Sequence, residues 1–164
     1  MIARLWTIIR LLFLLTLANG APVLAKKLLG GRFSLPVDTG ATAPDHQALF
    51  GSSKTLRGVL LSVLLTAVGG RVLGLPFGTG ALIASGAMAG DLFSSFCKRR
   101  LRLPTSSRAL GLDQVPESLF PLLLCRRSLS LNVLDILLIV AGFFASELAI
   151  SKVLYRFHLR DRPY

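Results

Sequence analysis

Apolar residues in this chain fall in long blocks separated by polar, Gly- and Ser-containing segments. A helix needs about 20 mainly apolar residues to cross a bilayer. Five blocks approach that length, at 5–24, 59–75, 77–96, 115–124 and 131–154. The fourth is short and contains Pro116 and Pro121, which a membrane helix tolerates where neighbouring helices satisfy the freed backbone groups. The pattern predicts an all-α, polytopic transmembrane bundle of about five spans. It forms one integral-membrane domain over residues 1–164, with polar loops at 26–57 and 97–114. The first block has a competing reading as a secretory signal peptide, with Arg4 and Arg10, an apolar stretch and small residues at 18–21. Its apolar run continues through Val23 and Leu24, which favours a retained helix.

Composition sharpens this picture. Hydrophobic residues make up 52% of the chain and charged residues 16%, against about 25% charged in an ordinary soluble domain. Nineteen Lys and Arg against eight Asp and Glu give a net charge of +11. A basic soluble protein would raise the question of nucleic acid, but these helices are too apolar and no aromatics interleave the basic residues. The charge is instead a topology signal and a contact for anionic lipid headgroups. Fourteen of the 19 basic residues fall in the two polar loops and the C-terminal tail, leaving Arg4, Arg10, Arg71, Arg126 and Arg127 for the other side. The positive-inside rule therefore places both loops and the tail in the cytoplasm, for a protein of the cytoplasmic membrane. Cys97 and Cys125 form no disulfide or metal pattern, and His46 and His158 lack ligand-like neighbours.

Several polar residues are out of keeping with simple packing. Asp91 ends an apolar span, where an unpaired carboxylate is costly. Positions 91, 95, 98 and 102 share one helical face and read Asp, Ser, Lys, Arg. That face combines a cation ligand with phosphate-binding bases, although a solvated helix end with snorkelling side chains reads the same way. Small residues at 78, 80, 81, 84, 86, 87 and 90 let neighbouring backbones approach and put this helix at the centre of the bundle. Asp113 and Glu117 stand one turn apart where the fourth span begins. They read either as helix-capping acids or as carboxylates facing Asp91 around a divalent metal; Mg2+ is typically held by one or two carboxylates plus substrate phosphates. The turn at 51–58, with Lys54, Thr55 and Arg57, opens the second span as an anion site would. It lacks the preceding strand and glycine spacing of a phosphate-binding loop of NTPases. Asp135 and Glu147, about 18 Å apart on the fifth helix, are thin support for a transporter.

Taken in order, these segments resemble the CDP-archaeol synthases, which belong with the CDP-diacylglycerol synthase-like membrane cytidylyltransferases. The resemblance rests on Ala18-Asn19-Gly20-Ala21-Pro22, Pro36-Val37-Asp38-Thr39-Gly40, and Gly51 with Lys54-Thr55 and Arg57-Gly58. It continues through Gly90-Asp91-Leu92, Ser95-Phe96, Lys98-Arg99-Arg100, Leu112-Asp113-Gln114 and the tail from Leu159 to Tyr164. It implies a CTP-dependent transferase: a lipid phosphate attacks the α-phosphorus of CTP, pyrophosphate leaves, and Mg2+ serves as cofactor. It assigns Asp91, Lys98, Arg99 and Asp113 to catalysis and Asp91, Asp113 and Glu117 to the metal. Asn19, Asp38, Lys54, Thr55, Arg57, Ser95 and Gln114 would bind the phosphates and substrates. One departure stands out: Pro116 occupies a position where the family often has a second acid, and Glu117 follows it. The competing class is a non-catalytic membrane protein or small transporter on the same scaffold; a homo-oligomer stays open.

Overall fold

The computed structural model describes residues 2–156, with side chains described to Lys152. His158 and the tail motif at 159–164 lie outside the described residues. Five helices follow one another: α1 (Ile2–Leu29), α2 (Leu56–Val72), α3 (Phe77–Arg100), α4 (Gln114–Leu124) and α5 (Val133–Arg156). Among the described residues there is no strand, only isolated bridges at Pro36–Thr55 and Thr42–Ala48.

α1, α3 and α5 are long and apolar enough to cross a membrane. At 1.5 Å per residue the 28 residues of α1 reach about 42 Å, more than the hydrocarbon thickness of about 30 Å. Lys26 and Lys27 therefore stand beyond its apolar stretch. α2, with 17 residues, is nearly as long as a span requires. α4 is different: its 11 residues reach only about 16 Å, so the fourth block does not cross as a helix by itself. Turns from Cys125 to Leu131 carry the chain onward. Leu131 and Asp135 then line a recess with Arg4 and Thr7.

α3 is the central helix, as its small residues require. A Cβ on Gly90 would lie 2.2 Å from the carbonyl oxygen of Pro116, and one on Gly86 would lie 2.7 Å from Pro121 Cα. On another side of α3, a Cβ on Gly80 would meet Thr66 O at 2.7 Å and Ala67 Cα at 2.8 Å. Backbone therefore rests on backbone at both contacts. Leu11, Leu14, Leu15, Ile83, Leu122, Ile139 and Phe143 fill the core between the helices. The polar residues within the bundle are tied down locally. Ser62 Oγ donates to Ala18 O at 2.7 Å and Arg10 Nη1 to Leu73 O at 3.2 Å. Asp135 and Asn132 form a reciprocal cap on α5: the Asp135 N–H donates to Asn132 Oδ1, and Asp135 Oδ2 accepts from the Asn132 N–H. Asp135 is thus a capping residue, which removes half of the case for a transport path.

Candidate functional site

Loop 35–55 is shaped by one carboxylate. Asp38 is buried, and its Oδ2 accepts from the N–H groups of Phe50 (2.9 Å) and Gly51 (3.0 Å) while Oδ1 accepts from Gly40 (3.1 Å). Burial by itself pushes this carboxyl up, but the three N–H groups outweigh it and hold the pKa below the ordinary value of 3.8. Asp38 therefore organises the turn. At its apex Gly51 takes φ +92°, and a Cβ there would lie 2.8 Å from Thr105 Cγ2 in the loop after α3. Only glycine allows both the backbone angle and the close approach.

The turn delivers Lys54 to α3. Lys54 Nζ donates to both oxygens of Asp91, at 2.5 and 2.6 Å. Behind Asp91, the buried side chain of Glu117 on α4 lies close to Asp91 and near Lys54 and Glu147. The close seating of α4 on Gly90 puts Glu117 there. Two turns along α3, Lys98 Nζ sits 2.7 Å from Asp113 Oδ1, an ionic contact whose approach is too oblique for an aligned hydrogen bond. Lys98 also donates to Ser107 O at 2.9 Å, and Asp113 Oδ2 accepts from the Ala109 N–H. The face of α3 that looks onto loop and α4 thus carries two Lys–Asp pairs. The pairs lie about 10 Å apart along the axis.

The positions expected from sequence divide here. Asp91, Lys54, Lys98, Asp113 and Glu117 come to this face. Asp113 does not cap α4: it has helical backbone angles and makes no side-chain bond to that helix's first turn, so capping does not account for it. The expected three-carboxylate set nevertheless splits, Asp91 with Glu117 and Asp113 with Lys98. Among the described residues no group of three or more His, Cys, Asp or Glu is placed to hold a metal unaided.

Arg57 turns away, donating to Arg32 O and, at 2.7 Å, to Gly30 O near the end of α1. Thr55 caps α2 by accepting from the Gly58 N–H. Of the expected anion group Lys54, Thr55 and Arg57, Lys54 turns to α3, Thr55 bonds the start of α2 and Arg57 bonds the backbone of Gly30 and Arg32. Asn19 donates to Leu15 O on its own helix. The polar stripe on α3 stops at Lys98, since Arg102 lies past the helix end, exposed, at φ +56°. Ser95, Arg99 and Gln114 are buried at the site. Arg99 Nη2 donates to Pro104 O, and Gln114 Oε1 accepts from the Gly111 N–H. That leaves Arg99 Nε and Gln114 Nε2 buried without a protein partner.

Two further contributors were not among the candidate site residues read from sequence, although Arg100 belongs to the Lys98-Arg99-Arg100 motif. Ser94 Oγ bonds the carbonyls of Gly90 and Leu112, at 2.9 and 2.6 Å, and fastens the start of α4 to α3. Arg100 reaches across to loop 35–55, where it meets Gln47, Ala48 and Asp45. Ser94 lies one residue from the predicted polar stripe, and its helical position was the available signal.

Helix length, apolar blocks and a charged, ion-paired face under a Gly/Lys turn define the class: an integral membrane protein with a polar site at one end of its bundle. A family profile described as CarS-like, CDP-archaeol synthase, matches residues 2–164. The chain belongs to the CDP-archaeol synthase family. It is 31% identical over 153 residues to the CDP-archaeol synthase of Sulfurisphaera tokodaii, covering 90% of this chain and 89% of that protein. It is 41% identical over 107 residues to that of Pyrococcus furiosus, a stretch spanning 59% of this chain and 60% of the relative. A solved structure described as an intramembrane enzyme for archaeal membrane lipids biosynthesis superposes with a TM-score of 0.73 at 32% identity. That match covers 87% of this chain and 90% of the other.

Proposed function

We propose that the chain is a CTP:lipid-phosphate cytidylyltransferase working at the cytoplasmic face of the cytoplasmic membrane. An oxygen of the lipid phosphate attacks the α-phosphorus of CTP. The new P–O bond forms as the bond to the β-phosphate bridge breaks, giving a CDP-lipid and pyrophosphate. The observation that carries this reading is the pair of Lys–Asp contacts, Lys54–Asp91 and Lys98–Asp113. Such a reaction needs little covalent help; it needs two anions held together and their charge offset. Each pair holds a cation able to grip phosphate oxygens beside a carboxylate that masks it at rest.

Asp91 and Glu117 suit a divalent ion: they are hard oxygen donors already in contact across α3 and α4, and Mg2+ takes one or two carboxylates plus substrate phosphates. When bound there, Mg2+ supplies charge neutralisation on the phosphate oxygens. Lys54 and Lys98 would turn from their carboxylates to grip phosphate oxygens, and Arg99 Nε and Gln114 Nε2, which have no protein partner, are further buried donors beside Lys98. The surplus of basic residues in loops 26–57 and 97–114 supports the cytoplasmic orientation, where CTP is available.

The relatives' name makes an archaeol-type lipid phosphate the first substrate to try, within a panel that includes phosphatidic acid and polyprenyl phosphates. Purified protein with labelled CTP and Mg2+ is expected to release pyrophosphate and form a CDP-lipid. Asp91→Ala and Asp113→Ala should each lower turnover by about 100-fold or more. Turnover that survives both substitutions removes the ion pairs from the mechanism. Absence of turnover across the whole panel favours a non-catalytic role.

A further inference from the structure

We propose that Arg100 is a positioning residue that latches loop 35–55 onto α3 and thereby holds Lys54 over Asp91. The proposal rests on the reading of Lys54 as a phosphate-binding group. Residues 41–49 form a tight reversal, closed by hydrogen bonds from the Ala43 N–H to Gln47 O (2.9 Å) and from the Leu49 N–H to Ala41 O (3.0 Å). Its far side is gripped by one guanidinium. Arg100 Nη2 donates to Ala48 O at 2.7 Å and Gln47 O at 3.2 Å, and Nε lies 3.1 Å from Asp45 Oδ2. The same guanidinium lies over the Phe96 ring, 4.9 Å from its centroid, so its plane is fixed from the α3 side as well.

Two anchors thus hold the loop. Asp38 ties its base to Phe50 and Gly51, three residues before Lys54. Arg100 ties its tip to the last turn of α3. Gly51 is also seated against Thr105 and Arg99, so loop position and Lys54 position are mechanically linked. A Lys–Asp pair between partly exposed side chains cannot order a loop of this length by itself, because such pairs contribute little against side-chain entropy. A charge kept only for topology or for lipid headgroups needs no such grip; this planar group bonds two carbonyls through Nη2, keeps Nε in ionic contact with Asp45 and lies over a ring, a combination that suits Arg better than Lys.

The test uses the full chain in detergent or nanodiscs, with Arg100→Ala, Arg100→Lys and Asp45→Asn. The first readout needs no substrate: modification of Lys54 by an amine-reactive reagent, followed by mass spectrometry against exposed Lys152 as internal reference. Arg100→Ala should speed Lys54 labelling about tenfold, in keeping with loss of charged hydrogen bonds. Arg100→Lys should give an intermediate rise, and Asp45→Asn, which removes only the partly exposed ion pair, about a twofold rise. The second readout is turnover: the KM for CTP should climb about tenfold in Arg100→Ala with kcat within about threefold. Lys54 labelling that stays at the wild-type rate overturns the latch. So does an Arg100→Lys variant indistinguishable from wild type beside an impaired Arg100→Ala, since charge alone would then suffice. A fall in kcat at unchanged KM also overturns it. If Arg100→Ala fails to fold, the other two variants carry the same comparisons. If wild type turns over no lipid phosphate, the proposed activity fails, while the labelling experiment still decides the latch.

Discussion

Lys98 and Asp113 are both largely withdrawn from solvent, with side-chain exposures of 9% and 15%. At that depth an ion pair adds little net stability, but removing one partner strands the other charge. Lys98→Met is therefore expected to destabilise the protein by about 3 kcal/mol, and the double variant Lys98→Met/Asp113→Leu by clearly less. Denaturant unfolding in detergent measures both; equal losses would show that the charges do not compensate one another. Asp38 gives a pH-dependent counterpart. Its folded pKa lies below the ordinary 3.8, so its contribution is fully present above that value and is lost as pH falls through the folded pKa. Lys54 labelling after exposure to successively lower pH, corrected for the reagent's own pH response, should rise in that acid range. Asp38→Asn should show high labelling at neutral pH and lack that step. Asp91, Lys98 and Asp113 were legible in the sequence because charge at the end of an apolar span demands a reason. Where Arg57, Thr55 and Asn19 turn was not legible: composition places a side chain on a segment, but backbone groups decide its direction, close in sequence for Thr55 and Asn19 and at Gly30 and Arg32 for Arg57. Arg100 could not be assigned for a related reason, since its partners at 45–48 are 52 or more residues away and no local pattern links them.

Helix contacts set where those side chains meet. Gly90 and Gly78 lie on the same helix yet differ completely in surroundings: a Cβ at Gly90 collides with Pro116 backbone, whereas nothing lies within 4 Å of one at Gly78. Gly90→Ala must push α4 off α3 and carry Glu117 away from Asp91. It should abolish turnover and cost more than about 2 kcal/mol of stability, as overpacking against unyielding backbone does. Gly78→Ala should be neutral or stabilise by up to about 1 kcal/mol through a better helix residue. Thermal melts and turnover of the two variants side by side test the contrast; similar behaviour would deny the backbone contact its role. The five apolar blocks read correctly as five helices, because length and hydropathy are local properties. The shortness of α4 and its seating on the Gly86–Gly90 surface were not legible in the same way. They depend on which partner a small-residue stripe faces, and sequence gives the stripe without the partner.

Across the whole molecule the chain carries a net charge of +11, yet where loop 35–55, the end of α3 and the start of α4 meet, the key lysines are already paired with carboxylates. On the proposed mechanism Lys54 turns from Asp91 to grip a phosphate, and Asp91 turns from Lys54 to ligate a cation, so the pair competes with both ligands. Nucleotide and divalent cation should therefore bind with positive coupling, each removing the other's internal competitor, and by linkage the effect is reciprocal. A coupling of about 1–3 kcal/mol is in the usual range, and it separates from simple Mg2+–CTP association in solution through one variant. Asp91→Asn frees Lys54 while weakening the cation site. Metal-free CTP should bind this variant about tenfold more tightly than wild type, and added Mg2+ should strengthen binding far less, even though turnover is lost. Calorimetric titration of CTP into wild type and Asp91→Asn, with Mg2+ or with chelator, measures all four arms of the cycle. Unchanged or weaker metal-free binding in Asp91→Asn would mean that the Lys54–Asp91 pair does not hold the site closed to anions. Tighter binding would show that one carboxylate serves both as restraint on the resting site and as ligand in the working one.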